Sequence, residues 1–139
     1  MRRALGTLVV MVGISVATLA QQSRTVWDGV YSEEQATRGE MLYGTHCAKC
    51  HGDGLAGVES APALTGTTFY SNWEGEMLEA LFNRMRSTMP LDKPGSLSRA
   101  QNADILAHML RAGGYPAGTA PLDGGAGALA SITIRMYKP

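Results

Sequence analysis

Cysteine is scarce in this sequence, with Cys47 and Cys50 the only two in 139 residues. A bridge between thiols this close would close a tiny loop and barely constrain the unfolded chain, so a disulfide framework is excluded. A structural zinc site would have to borrow His46 and His108. Neither a second C-x-x-C nor an H-x₃₋₅-H cluster accompanies the pair. A thioredoxin-like redox pair needs a βαβ context, which the sequence does not offer. Excess charge is lacking too. With 12 basic and 12 acidic residues the formal net charge is zero, leaving no electrostatic footprint for nucleic acid. Long apolar runs are few: Leu5 to Leu19 is an apolar stretch without a charge, borderline short against the roughly 20 residues a membrane span needs.

What the sequence does have is the pentapeptide Cys47-Ala48-Lys49-Cys50-His51. This C-x-x-C-H spacing reads as a c-type haem attachment site. Each thiol can add to one vinyl group of the porphyrin, making two thioethers. The imidazole that follows is then held beneath the iron as its proximal ligand. A length of 139 residues fits one domain. The 17 glycines suggest a loop-rich fold that wraps a cofactor, and a haem would supply apolar core that so short a chain otherwise lacks.

Residues 1–20 read as a secretory signal, with Arg2 and Arg3 as the positive start, an apolar middle, and Thr18-Leu19-Ala20 before the cut. The alternative is an uncleaved anchor. No cysteine follows the run to carry a lipid. Cleavage removes Arg2 and Arg3 and no acid, leaving 10 basic against 12 acidic residues, or −2. Residues 21–31 read as a polar linker. Ser32-Glu33-Glu34-Gln35 is a capping-box pattern, opening a helix to about Thr45 with Met41 and Leu42 as core positions. Gly39, costly inside a helix, is expected to mark close packing with a second helix.

From Cys47 to Leu64 the sequence resembles a class I c-type cytochrome, the small single-haem bacterial kind. The quoted residues are Cys-x-x-Cys-His-Gly, a Gly-rich turn, and Ala61-Pro62-Ala63-Leu64. Extended through Met89 to the C-terminal helix, the resemblance covers roughly 32–115. It implies an all-α cytochrome c fold of three to four helices wrapped around one covalently bound haem, loop-rich, with a short extended C-terminal tail. It further implies that Pro62 offers its carbonyl to the His51 Nδ1–H, fixing the tautomer and raising ring basicity; a Pro that merely shapes a turn is the alternative. Leu64 would pack on the haem face. Trp73 would either donate to a haem propionate or stand as an aromatic at the core edge, within a polar turn region spanning 65–74.

Gly75 to Arg86 reads as an amphipathic helix with Leu78, Leu81, Phe82 and Met85 along its apolar stripe. Met89 follows in Ser87-Thr88-Met89-Pro90, where Pro90 biases it to an extended backbone. It is the expected sixth iron ligand, with Met85 the runner-up. Thioether opposite imidazole raises the reduction potential and fills both axial positions. Ser98-Arg99-Ala100-Gln101 is a second capping box, opening a helix from about Arg99 to Ala112 that stops at Gly113. The resemblance has this helix crossing the first near Gly39, with His108 standing where relatives carry an aromatic. His46 is expected to point to solvent. Residues 116–139 form an extension packed on the domain or trailing from it, with Ile132-Thr133-Ile134 a possible strand.

The expected function is that of an electron carrier and not an enzyme: one electron at a time between redox partners through haem c and its iron. The resemblance suggests a periplasmic setting, with a quinoprotein dehydrogenase as donor or a terminal oxidase of a respiratory chain as acceptor. The expected state is a monomer or a subunit of a complex. The alternatives are a haem peroxidase or gas-binding haem protein with an open sixth position, or a subunit permanently docked to a larger oxidoreductase.

Overall fold

Ser32 opens the first long helix by accepting a hydrogen bond from the Gln35 backbone N–H, satisfying one of the donors a helix start leaves free. In the computed structural model, which describes residues 24–59 and 61–139, that helix is α1 (Glu33–His46). The chain before it contributes β1 (Arg24–Thr25). After it come α2 (Ala48–His51), α3 (Gly66–Trp73), α4 (Leu78–Thr88), α5 (Arg99–Ala112) and β2 (Ile132–Thr133). The expected signal segment lies outside the described residues. Among the described residues no helix is long and apolar enough to cross a membrane.

α1 and α5 form the central crossing. At Gly39 a Cβ would collide with the backbone carbonyl of Asp104 and crowd His108, so only glycine lets α5 come this near. The inward face of α1 is Gln35, Ala36, Gly39 and Tyr43. Met41, expected in the core, is instead 65% exposed. Two positions beyond Gly39 lies the opposite side of a helix with 3.6 residues per turn. Leu42 is half-buried against the core. Ion pairs staple the edges of the crossing: Arg38 to Asp104 at 3.0 Å, and Arg111 to both Glu33 and Glu40 at 2.7 Å.

The Ser98 capping box is complete, with Gln101 accepting from the Ser98 N–H and returning its own N–H to the hydroxyl. The Ser32 box is only half formed. Gln35 is buried and turned away to the tail, donating to the Leu122 carbonyl at 3.0 Å and accepting from the Leu122 N–H at 2.6 Å.

Residues 65–74 are not a polar turn region. They hold helix α3, opened by an extended Thr65, and it buries Phe69 and Tyr70. With α2 it brings the helices among the described residues to five, against the three to four expected. α4 begins at Leu78, later than Gly75, because the intervening backbone pairs with the tail. Gly75 N donates to the Ile134 carbonyl at 2.9 Å and Ile134 N to the Glu76 carbonyl at 2.8 Å.

Residues 24–31 are no linker. Val26, Val30 and Tyr31 are buried in the same core as Leu122, Leu129, Ile132 and Ile134 from the tail. β1 and β2 pair in parallel, Arg24 with Ile132 and Thr25 with Thr133. The Tyr31 hydroxyl donates to the Tyr115 carbonyl at 2.6 Å. The segments before and after the α1–α5 body therefore pack together over it.

Candidate haem site

The end of α1 turns directly into α2. Cys47 caps the first helix, its N–H on the Tyr43 carbonyl at 2.8 Å, and its own carbonyl accepts from His51 N at 2.9 Å. One helical turn therefore spans the motif, and residues three and four apart in a helix share a face. Cys47, Cys50 and His51 stand together on the wall of one cavity of about 1260 Å³. Both thiols are unpaired. Burial, then the neighbouring Cys50, push the Cys47 thiol up to about 11, so it is protonated at neutral pH.

His51 is buried to 7% exposure, and its Nδ1 lies 2.8 Å from the Pro62 carbonyl oxygen. An Nδ1–H donated there leaves Nε2 carrying the lone pair, the form a metal requires. The loop between them is tied to itself. Gly57 N donates to the His51 carbonyl at 2.9 Å, and Leu64 N to the Leu55 carbonyl at 2.8 Å. Gly57 has φ +76°, and a Cβ there would collide with the Pro62–Ala63 backbone. The bare glycine is what allows the Pro62 carbonyl to reach the ring. From below, the Tyr43 hydroxyl donates to the Gly52 carbonyl at 2.7 Å and ties the motif back to α1.

A second wall comes from the end of α4. Met89 caps that helix with an extended backbone, φ −121° and ψ 155°, its N–H on the Met85 carbonyl at 2.9 Å. Met85 and Met89 both line the cavity, as do Leu64 and Trp73, all four partly buried. The floor adds Phe69, Leu81, Ile105 and Met109. Helical spacing of Phe69 and Trp73, four apart, was the signal that could have revealed α3 as a cavity wall. Gly57 carried no motif that would single it out. His46 is exposed at the rim, and His108 lies buried at the helix crossing. Among the described residues no cluster of three His, Cys, Asp or Glu side chains could hold a metal by itself.

These residues fit a covalently attached porphyrin. The cavity exceeds the roughly 300–1,000 Å³ of usual small-molecule pockets and is walled largely by apolar side chains. Two free thiols and one imidazole with its outer nitrogen already engaged stand at its edge. Residues 34–109 match the family model described as cytochrome C oxidase, cbb3-type, subunit III. The chain belongs to this family of c-type cytochromes. The cytochrome carries covalent haem c, with its iron, through Cys47 and Cys50. Its mostly helical, loop-rich fold, with one short parallel strand pair where all-α was expected, is that of a cytochrome c. No curated protein matches the sequence. Among solved structures the cytochrome is similar to the sulfane dehydrogenase SoxCD from Paracoccus pantotrophus, at 20% identity and a TM-score of 0.46. That match covers 76% of this chain and 58% of the other, so the cytochrome spans little more than half the length of that relative.

Proposed function

We propose that the cytochrome is an electron carrier with His51 and Met89 as its two axial ligands. The observation that carries this reading is the engaged His51 Nδ1, 2.8 Å from the Pro62 carbonyl, in a cavity that Met89 also lines. When bound, the haem supplies reversible one-electron chemistry between Fe(II) and Fe(III). The chain does the rest. Cys47 and Cys50 hold the group covalently, and Pro62 fixes the tautomer of His51. Pro90 holds Met89 extended, while Leu64, Ile105 and Met109 exclude water. Trp73 supplies an aromatic wall and a donor N–H suited to a propionate.

The cytochrome domain proper is 32–115 in this reading, with 1–20 a signal that exports it to the periplasm. Partners dock at the cavity, whose lining includes the exposed Lys49, Arg84 and Lys93 and one exposed acid, Asp92. Such a lining suits an acidic partner face, and small interfaces keep such encounters transient. A donor dehydrogenase and an acceptor oxidase of a respiratory chain suit this role. A second reading, a subunit held in a larger oxidoreductase, is favoured by the name of the matching family, which is that of an oxidase subunit.

The test is spectroscopic. Purified protein, produced with haem-maturation machinery, is expected to stain for covalent haem and to show a thioether-to-iron band near the red edge of the oxidised spectrum. Met89→Ala is expected to abolish that band and lower the potential while leaving the stain. Retention of the band in Met89→Ala, with its loss in Met85→Ala, would move the sixth ligand to Met85.

A further inference from the structure

Five aromatic rings run in single file from the cavity wall through the core to Trp27. Trp73 and Phe69 line the cavity, with ring centroids 6.4 Å apart. Phe69 meets Tyr70 at 5.1 Å, Tyr70 meets Tyr115 at 5.1 Å, and Tyr115 meets Trp27 at 4.8 Å. The last three contacts are edge-to-face, and all four separations lie in the contact range for aromatic pairs. The three middle rings are buried, while Trp27 and Trp73 are half-buried at the two ends. Trp27 and Tyr115 lie outside residues 34–109, so the outer half of the file is built by segments beyond the family match.

Packing alone does not ask for this composition. An apolar core is filled most readily by side chains without polar atoms. Here tyrosines occupy two of the three buried positions. The Tyr70 hydroxyl must be satisfied by the Met109 carbonyl at 3.2 Å. The Trp27 indole N–H is fixed on the Arg135 carbonyl at 3.0 Å, which holds the outermost ring in place. Four of the five rings belong to the residue types that lose an electron most easily, and Phe69 bridges the remaining gap.

We propose that Trp27, Tyr115, Tyr70, Phe69 and Trp73 form a relay through which a one-electron oxidant striking the Trp27 face draws its electron from the haem. The relay rests on the haem-site reading above. Its ligand class is a strong one-electron oxidant, one able to oxidise an indole. The oxidant gains one electron and Trp27 becomes a radical cation. An electron arriving along the rings then restores Trp27, and the iron passes from Fe(II) to Fe(III). No bond forms or breaks. No proton leaves Tyr70, whose hydroxyl faces a carbonyl oxygen, a poor base. Trp27 is thus a second electron port, on a ring that does not line the cavity.

A ruthenium polypyridyl photooxidant tethered to an introduced histidine tests this. Tyr137→His offers an exposed site near Arg135, and His46→Gln removes the exposed native imidazole that would compete for the label. In reduced holoprotein, a laser flash with an external quencher is expected to give a transient tryptophan radical whose decay matches oxidation of the haem. Tyr70→Phe with Tyr115→Phe keeps the rings packed but removes both phenols; haem oxidation is expected to slow at least tenfold. Trp27→Phe is expected to abolish the radical and slow haem oxidation likewise. Haem oxidation at an unchanged rate in these variants, with normal haem spectra, overturns the relay alone. Absence of covalent haem from the parent protein removes instead the reading on which the relay stands.

Discussion

His108 sits at the α1–α5 crossing with 8% exposure, its ring 5.3 Å from Tyr43 and its Nδ1 3.4 Å from an Arg111 nitrogen. Burial first, then the Arg111 guanidinium, hold its pKa below the ordinary 6.5, with Glu40 pulling the other way. Arg111 can donate to Nδ1 only while the imidazole is neutral. A base whose folded pKa is depressed takes up its proton more readily unfolded, so the folded state loses stability as pH falls from about 6.5 toward the lowered value. Above that window the contribution is complete. The parent is therefore expected to lose stability between pH 6.5 and 5.5 more steeply than His108→Phe, by denaturant titration at each pH. Parallel profiles would remove His108 as the cause. At this scale the sequence was informative wherever chemistry sits in a motif: the spacing of Cys47, Cys50 and His51 carries its own meaning. Gly57 was illegible, because its role comes from the nearness of the Pro62–Ala63 backbone, which sequence distance hides.

At the scale of elements, legibility followed whether a helix declares its own ends. The α5 limits, Arg99 and Ala112, could be read because Ser98, Gln101 and Gly113 act locally. α3 could not, since Thr65-Gly66-Thr67-Thr68 looks like a turn and the helix is held by what Phe69 and Tyr70 bury. Met41 misled for a related reason: apolar character pointed inward, but α5 approaches so closely that small and polar residues form the inner face. Gly39 decides that approach. Gly39→Ala is expected to cost about 3 kcal/mol, the upper end for overpacking, because a Cβ would meet the Asp104 carbonyl and not the end of a flexible side chain. Thermal melting of the holoprotein measures it. A variant as stable as the parent would mean that the helices separate freely.

The whole molecule is larger than the segment that resembles a cytochrome. Leu122, Leu129, Ile132 and Ile134 from the tail are each less than 5% exposed and join Val26, Val30 and Tyr31 in one core. Burying each such side chain stabilises by about 1.5–3 kcal/mol, against a net stability of about 5–15 kcal/mol for a typical domain. Removal of residues 119–139 is accordingly expected to abolish a cooperative melt at 37 °C, by near-ultraviolet circular dichroism. A truncated protein that melts like the parent would make the tail an ornament. Sequence reasoning left this segment undecided between packed and trailing, since its partners lie over 80 residues away: Gln35 to Leu122, and Trp27 to Arg135.

The loop from His51 to Leu64 closes on itself through backbone bonds and holds the imidazole with its outer nitrogen already bonded to Pro62. In the proposed ligation, the ring needs no reorientation when the metal gains or loses charge. Little of the driving force is then spent on rearranging surroundings. Exchange stays quick even between carriers of nearly equal redox level, and traffic can run in either direction.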